Sequence, residues 1–295
     1  MRVDPKNWFK SKVQVFCDFQ VIEDINKKLS DSHKQAFRKT CFGHFLDIQP
    51  FVIQSQLLHH MIMRTVVHPS EQEMWFDING SKIKFSVNEF ALISGLKCVG
   101  NVSKRLYTSG VSDRFKTQFF PGKATVSRKA IKDAFNNYSG DSDEEILKLG
   151  LLYLITNFCF SKAPGKIVDI YDILLVDSKN FDEFPWGKVC FEMTLASMRT
   201  ASEYVSRNQN STDGQNKMEG NKSYRLSGLP LAFQVWAYEC IKLVGEYCAH
   251  RTESKAARIL NWTCKIRPSS TSLVENVFVN HKVNFFFPSN GDCFF

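Results

Sequence analysis

The sequence predicts a mainly α fold with a small antiparallel β-hairpin, an α+β arrangement within a single helical globular domain. Three features predict it. Apolar residues recur at helical spacing in several segments, a short run of aromatic and β-branched residues flanks Asn79-Gly80, and 43% of the 295 residues are hydrophobic, enough to bury a core without covalent staples.

Residues 1–30 are weakly patterned and are expected to form an N-terminal arm, with a strand or short helix within Val13 to Ile22. Asp31 or Ser32 is placed to cap a helix through His33 to Lys39, and Phe42-Gly43-His44-Phe45-Leu46 follows as an apolar knot. Ile53, Leu57 and Met61 keep helical spacing until His68-Pro69, where proline cannot continue the hydrogen-bond ladder. Met74 to Ile78 and Lys82 to Phe85 then read as strands joined by Asn79-Gly80, the pair that best tolerates a type I′ turn, giving a hairpin over 74–86. Ser86 and Glu89 have the spacing of a capping box, Phe90 and Ile93 give the following helix an apolar face, and Gly95 suits its left-handed end.

From Cys98 to Pro121-Gly122 the chain is polar and basic and is expected to be an exposed loop. Ser127 caps a basic helix whose other face is Ile131, Ala134, Phe135 and Tyr138, and Ser142 with Glu145 has the spacing of a second capping box. Ile146 to Phe160 is apolar almost all round, so it is expected to be the central core helix. A short helix within Ile167 to Val176 and a longer one from Lys188 to Val205 complete the main part of the domain, residues 31–205. Residues 206–223 lack apolar periodicity and read as a disordered insert. The C-terminal helices of the same domain span 224–268. There Ser227 and Pro230 suit a helix start, and Phe233, Trp236, Ala237, Cys240, Ile241 and Val244 predict an amphipathic helix. Residues 269–295 form an irregular Phe-rich tail, expected to mark a truncated or misjoined product.

Trp75-Phe76, Gly80, Ile83, Phe85-Ser86, Glu89-Phe90-Ala91-Leu92-Ile93 and Gly95-Leu96-Lys97-Cys98 resemble the signature of a plant domain of unknown function. That family occurs in proteins encoded by transposable elements, often upstream of a SUMO-specific cysteine protease domain. Further similar blocks are Phe42 to Leu46, Phe184-Pro185-Trp186-Gly187-Lys188, Gly228 to Glu239 and Arg258 to Trp262, so the resemblance runs from Lys34 to Trp262 less the insert. A more distant similarity is to the plant mobile domain, whose description as aminotransferase-like implies no transaminase chemistry. The resemblance implies a nuclear setting and casts Trp75, Phe85, Glu89, Phe90, Gly95, Leu96, Pro185, Trp186, Gly187, Trp236 and Trp262 as structural anchors.

Candidate chemistry is sparse. The nine cysteines include no Cys-x-x-Cys pair, so neither a disulfide framework nor a zinc knuckle is written in them; core thiols in a reducing compartment are expected. Asp292-Cys293 with His281 lacks the spacing of a cysteine protease, Cys240, Cys248 and His250 lack a fourth ligand, and His59-His60 read as a helix face. Gly122-Lys123 and Gly165-Lys166 lack the other residues of a phosphate loop. No catalytic residue, cofactor, metal or small-molecule substrate is expected. No apolar run is long enough for a bilayer, and the charged N-terminus lacks a signal-peptide core.

The net charge of +8 is concentrated. Between Lys97 and Lys132 nine Lys or Arg stand against Asp113 alone. Lys104, Arg105, Arg114, Lys116, Lys123, Arg128, Lys129 and Lys132 are therefore candidate phosphate contacts, since clustered cations release counterions from a duplex. The resemblance implies a non-catalytic module contacting an unknown protein or DNA, the protease domain of related proteins being absent. The alternative is a duplex DNA-binding module using residues 97–132.

Overall fold

The computed structural model describes residues 3–163, 165–208 and 222–278. The stretch expected to be an N-terminal arm carries β1 (Lys12–Val15) and α1 (Gln20–Lys28). β1 pairs in parallel with β5 (Ser223–Leu226), setting Val13 opposite Tyr224, and Val21, Ile22 and Ile25 of α1 are buried. A parallel partner some two hundred residues away leaves no local trace, which is why residues 12–28 look unattached in sequence.

Helix α2 (Asp31–Arg38) is capped by Ser30, whose Oγ accepts the His33 N–H, one residue before the expected cap. Helix α3 (Ser55–Met63) stops short of His68-Pro69 because Arg64 leads into β2 (Thr65–Val66), which pairs antiparallel with β3 (Met74–Ile78). β3 turns into β4 (Ser81–Phe85) through Asn79 and Gly80 at φ 52° and 88°, the paired positive angles of a type I′ turn. The expected capping box forms at α4 (Val87–Ser94): Glu89 Oε2 accepts the Ser86 N–H at 2.8 Å, and Gly95 ends the helix at φ 71°.

The expected exposed loop holds two short helices, α5 (Lys104–Tyr107) and α6 (Arg114–Phe119), pinned by the burial of Phe115 and Phe120. Ser127 caps α7 (Arg128–Asn137) as expected. Ser142 caps α8 (Asp143–Leu154) without a box, because Glu145 bonds Tyr138 Oη and Gln118 while Tyr138 Oη receives the Ser142 N–H. α8 runs on as a π turn, Ile155–Cys159, and this combined element is the buried core helix that its composition requires.

After α9 (Ile170–Val176) comes the long α10 (Trp186–Arg207). Residues 206–207 finish it, Asn208 caps it, and Lys222 leads into β5 at Ser223; residues 209–221 of the expected insert lie outside the described residues. Helix α11 (Pro230–Cys240) differs from the amphipathic expectation, since every residue of it is buried. Its polar residues face inward with partners: Gln234 Oε1 accepts the Gln54 N–H, and Glu239 accepts Trp262 Nε1–H at 2.6 Å and Arg258 at 3.3 Å. The chain breaks at Ile241 before α12 (Lys242–Cys248), then pairs β6 (His250–Arg251) with β7 (Trp262–Thr263). The described part of the Phe-rich tail is ordered into α13 (Ser270–Leu273) and the helical turn Val274–Phe278; residues 279–295 lie outside the described residues.

Candidate functional site

The eight candidate phosphate contacts do not form one surface. Lys104, at the start of α5, lies 2.7 Å from Asp169 and 2.6 Å from Asp172, both of α9 or its cap. Burial alone would lower its pKa, but the two carboxylates outweigh it and raise the value, so the ammonium is charged and spent inside the fold. Arg105 donates to Tyr171 Oη at 3.0 Å beside it. Arg128, expected on the solvent face of α7, is buried and donates to Phe16 O and Asn157 O, tying α7 to the N-terminal segment and the core helix. Lys132 sits 3.9 Å from Asp24 of α1. Arg114, Lys123 and Lys129 are exposed and Lys116 is partly so; among the described residues none of these four makes an ion pair.

The partners of Lys104 lie outside its own stretch of sequence. The signal was an aspartate, Asp172, inside the apolar run of α9; a buried carboxylate needs a cation.

The motif residues cluster in two places. Trp236 packs against Phe76, Phe85 and Phe233 at 5.2–5.3 Å between ring centroids, and Phe85 and Phe90 both meet Phe191. Trp186 packs against Phe42, Phe181 and Phe184 and donates its Nε1–H to Phe181 O. The Gly95 and Pro185 blocks touch directly: the Gly187 N–H donates to Lys97 O at 2.9 Å, Lys97 Nζ reaches Glu183, and Leu96 is buried there. Trp262 is fixed by Glu239, whereas Trp75 is half-buried on the outer face of the three-stranded sheet, stacked on His68.

Two concavities open on the surface of the described residues. A groove of about 610 Å³ along α10 is lined by Val87, Cys98, Val99, Phe191, Leu195 and Arg199, with Lys188 at its other end. Its only thiol is held inert, since burial pushes Cys98 up to about 12. A cleft of about 400 Å³ holds Lys28, His33, Tyr138 and Asp143. His33 Nε2 is 2.7 Å from Asp143 Oδ1, Lys28 donates to Asn136 O and Tyr138 O, and Ser142 caps α8, so these groups join helices to one another.

His59 and His60 are buried, not surface residues. His59 Nε2–H donates to Phe9 O and Nδ1 lies 3.0 Å from Tyr224 Oη, while His60 bonds Ser270 Oγ. Among the described residues no group of three or more His, Cys, Asp or Glu is placed to hold a metal ion, and no helix is long and apolar enough to cross a membrane. His281, Asp292 and Cys293 lie outside the described residues.

Residues 62–197 match the family model of a domain of unknown function, DUF1985. The match runs from the last turn of α3 to the middle of α10, and so contains the hairpin, the capping box, the basic segment and Trp186 with Phe181 and Phe184, but not Phe42, β1 or α11. No curated protein and no solved structure matches the chain.

Proposed function

We propose that this chain is a non-catalytic interaction module, working through contacts to another protein or to DNA. The observation that carries the reading is how the chemical groups are used. The buried histidines, Lys104, Arg128 and Glu239 hold elements together, and the described thiols are buried or shielded. The resemblance to the transposon-encoded plant domain supports the same reading, and with it a nuclear setting in proteins that can also carry a SUMO-specific protease domain.

A second reading, duplex DNA binding, is favoured by one observation: Arg114, Lys116, Lys123 and Lys129 follow one another through α6 and the start of α7 without ion-pair partners among the described residues. Phosphate contacts by such cations would weaken with salt, each contributing about 0.9 to the logarithmic slope. Duplex binding measured at several salt concentrations, beside a variant with those four residues changed to Ala, tests it. A steep slope that becomes shallower in the variant supports the DNA reading; equal binding by both proteins directs the contacts to protein.

A further inference from the structure

We infer that the free edge of β4 is a docking site for an extended acidic segment of another protein, which adds to the sheet as a fourth strand. This deepens the interaction-module reading, on which it rests, by naming the kind of partner.

Alternation along the hairpin fixes which groups point outward. Ile78 and Ser81 flank the two-residue turn as a hydrogen-bonded pair, so Phe76 with Ile83 and Met74 with Phe85 are bonded pairs too. The Asp77 N–H points the other way, donating to Arg64 O at 2.9 Å next to β2. The backbone N–H and C=O of Lys82 and Lys84 therefore project from the edge away from β3, and among the described residues no backbone group meets them. Both lysines are exposed, and Ile83 between them packs on the core yet stays partly exposed. An edge of this kind binds by backbone bonding, with alternate side chains supplying specificity.

Charge selects the occupant. Lys82 and Lys84 share the outer face and make no ion pair among the described residues; the nearest acid across the hairpin, Asp77, instead accepts the Gly80 N–H. Acidic residues on an added strand, directly opposite Lys82 and Lys84, would meet both charges. The residue between them would point inward and cover Ile83. A second copy of this chain fails the same test, since pairing two β4 edges about Ile83 sets Lys82 against Lys84 of the other copy, and like charges opposed across strands repel. Half-buried Trp75, opposite Lys84, lies on the face where the acidic side chains would arrive.

The test uses the full chain, isotope-labelled, with a blocked peptide of alternating Glu and Val, read by amide hydrogen exchange and by titration. Saturating peptide is expected to slow exchange at the Lys82 and Lys84 amides by about tenfold or more, since each gains a hydrogen bond. Lys82→Glu with Lys84→Glu, both at exposed positions, abolishes binding, as does N-methylation of the peptide glutamates. No binding of the peptide, or equal binding of its N-methylated form, overturns the inference. Binding that protects other amides while leaving Lys82 and Lys84 unchanged overturns it too, but leaves the interaction-module reading standing. An oligothymidine that perturbs Trp75 while the peptide does not would assign the face to nucleic acid instead.

Discussion

Lys104 Nζ lies 2.6 Å from Asp172 Oδ1, joining the short helix α5 to α9 across a site where the aspartate is almost fully buried. A residue that looks in sequence like part of a phosphate-binding run is thus an internal counter-ion. Arg128 is likewise turned inward, though its guanidinium donates to two backbone carbonyls, Phe16 O and Asn157 O, and not to a carboxylate. Basic charge in this segment is divided between holding the fold and facing solvent, and the two portions make different predictions.

The junction of the two motif blocks depends on Gly187. A Cβ there would stand 2.7 Å from Cys98 Sγ and 2.8 Å from both Leu96 Cβ and Lys97 O, the carbonyl that Gly187 itself bonds. Gly187→Ala is expected to destabilise the chain by about 1–3 kcal/mol through overpacking, despite alanine's higher helix propensity. Urea unfolding measures it, and an unchanged or raised midpoint would show that the junction yields freely.

Acid should weaken the fold before its carboxylates titrate. Burial, helped by the neighbouring Arg64 charge, lowers the His60 pKa from 6.5 to about 3, and burial lowers His59 and His44 as well. The unfolded chain takes these protons below about pH 6.5 and the folded chain does not. Stability is therefore complete above that pH and falls as pH drops towards 3, by about 1.4 kcal/mol per pH unit for His60 alone. Urea midpoints at pH 7.5, 6 and 5 check this. Equal midpoints would contradict the buried neutral histidines.

Gln234 is a polar residue whose loss should be felt in the core. Its side chain accepts the Gln54 N–H and donates to Val52 O and Tyr238 Oη. Gln234→Leu keeps the volume similar but strands these groups, costing about 1–3 kcal/mol. Chemical denaturation of the variant measures it, and a neutral result would mean that the network repairs itself.

Cys98 lines the α10 groove but should not react. With its pKa near 12, about one thiol in ten thousand is ionised at pH 8, so alkylation at Cys98 in the native chain should be slower than in urea by orders of magnitude. Peptide mapping after timed alkylation gives the rate. Fast native labelling would make the groove a candidate reactive site.

Local chemistry was legible in the sequence; distant pairing was not. The Asn79-Gly80 turn, the Ser86 and Glu89 capping box and the left-handed Gly95 follow from neighbouring residues, and all three form. β1 was obscure because its partner β5 is far along the chain. α11 looked amphipathic because Gln234 and Glu239 resemble a solvent face until their buried partners are known. Internal and solvent-facing cations look alike in the sequence because composition counts charges without their counter-ions, and Asp169, Asp172 and Asp24 lie outside the segment.

The most direct measurement is the unfolding free energy of Lys104→Met beside that of the variant with Arg114, Lys116, Lys123 and Lys129 changed to Ala. Removing Lys104 leaves Asp172 buried without its cation and is expected to cost about 3–5 kcal/mol. The four surface changes together should stay within about 1–2 kcal/mol of the parent. A neutral Lys104→Met, or a fourfold variant that unfolds as readily, would contradict the division of this segment into internal and solvent-facing charge.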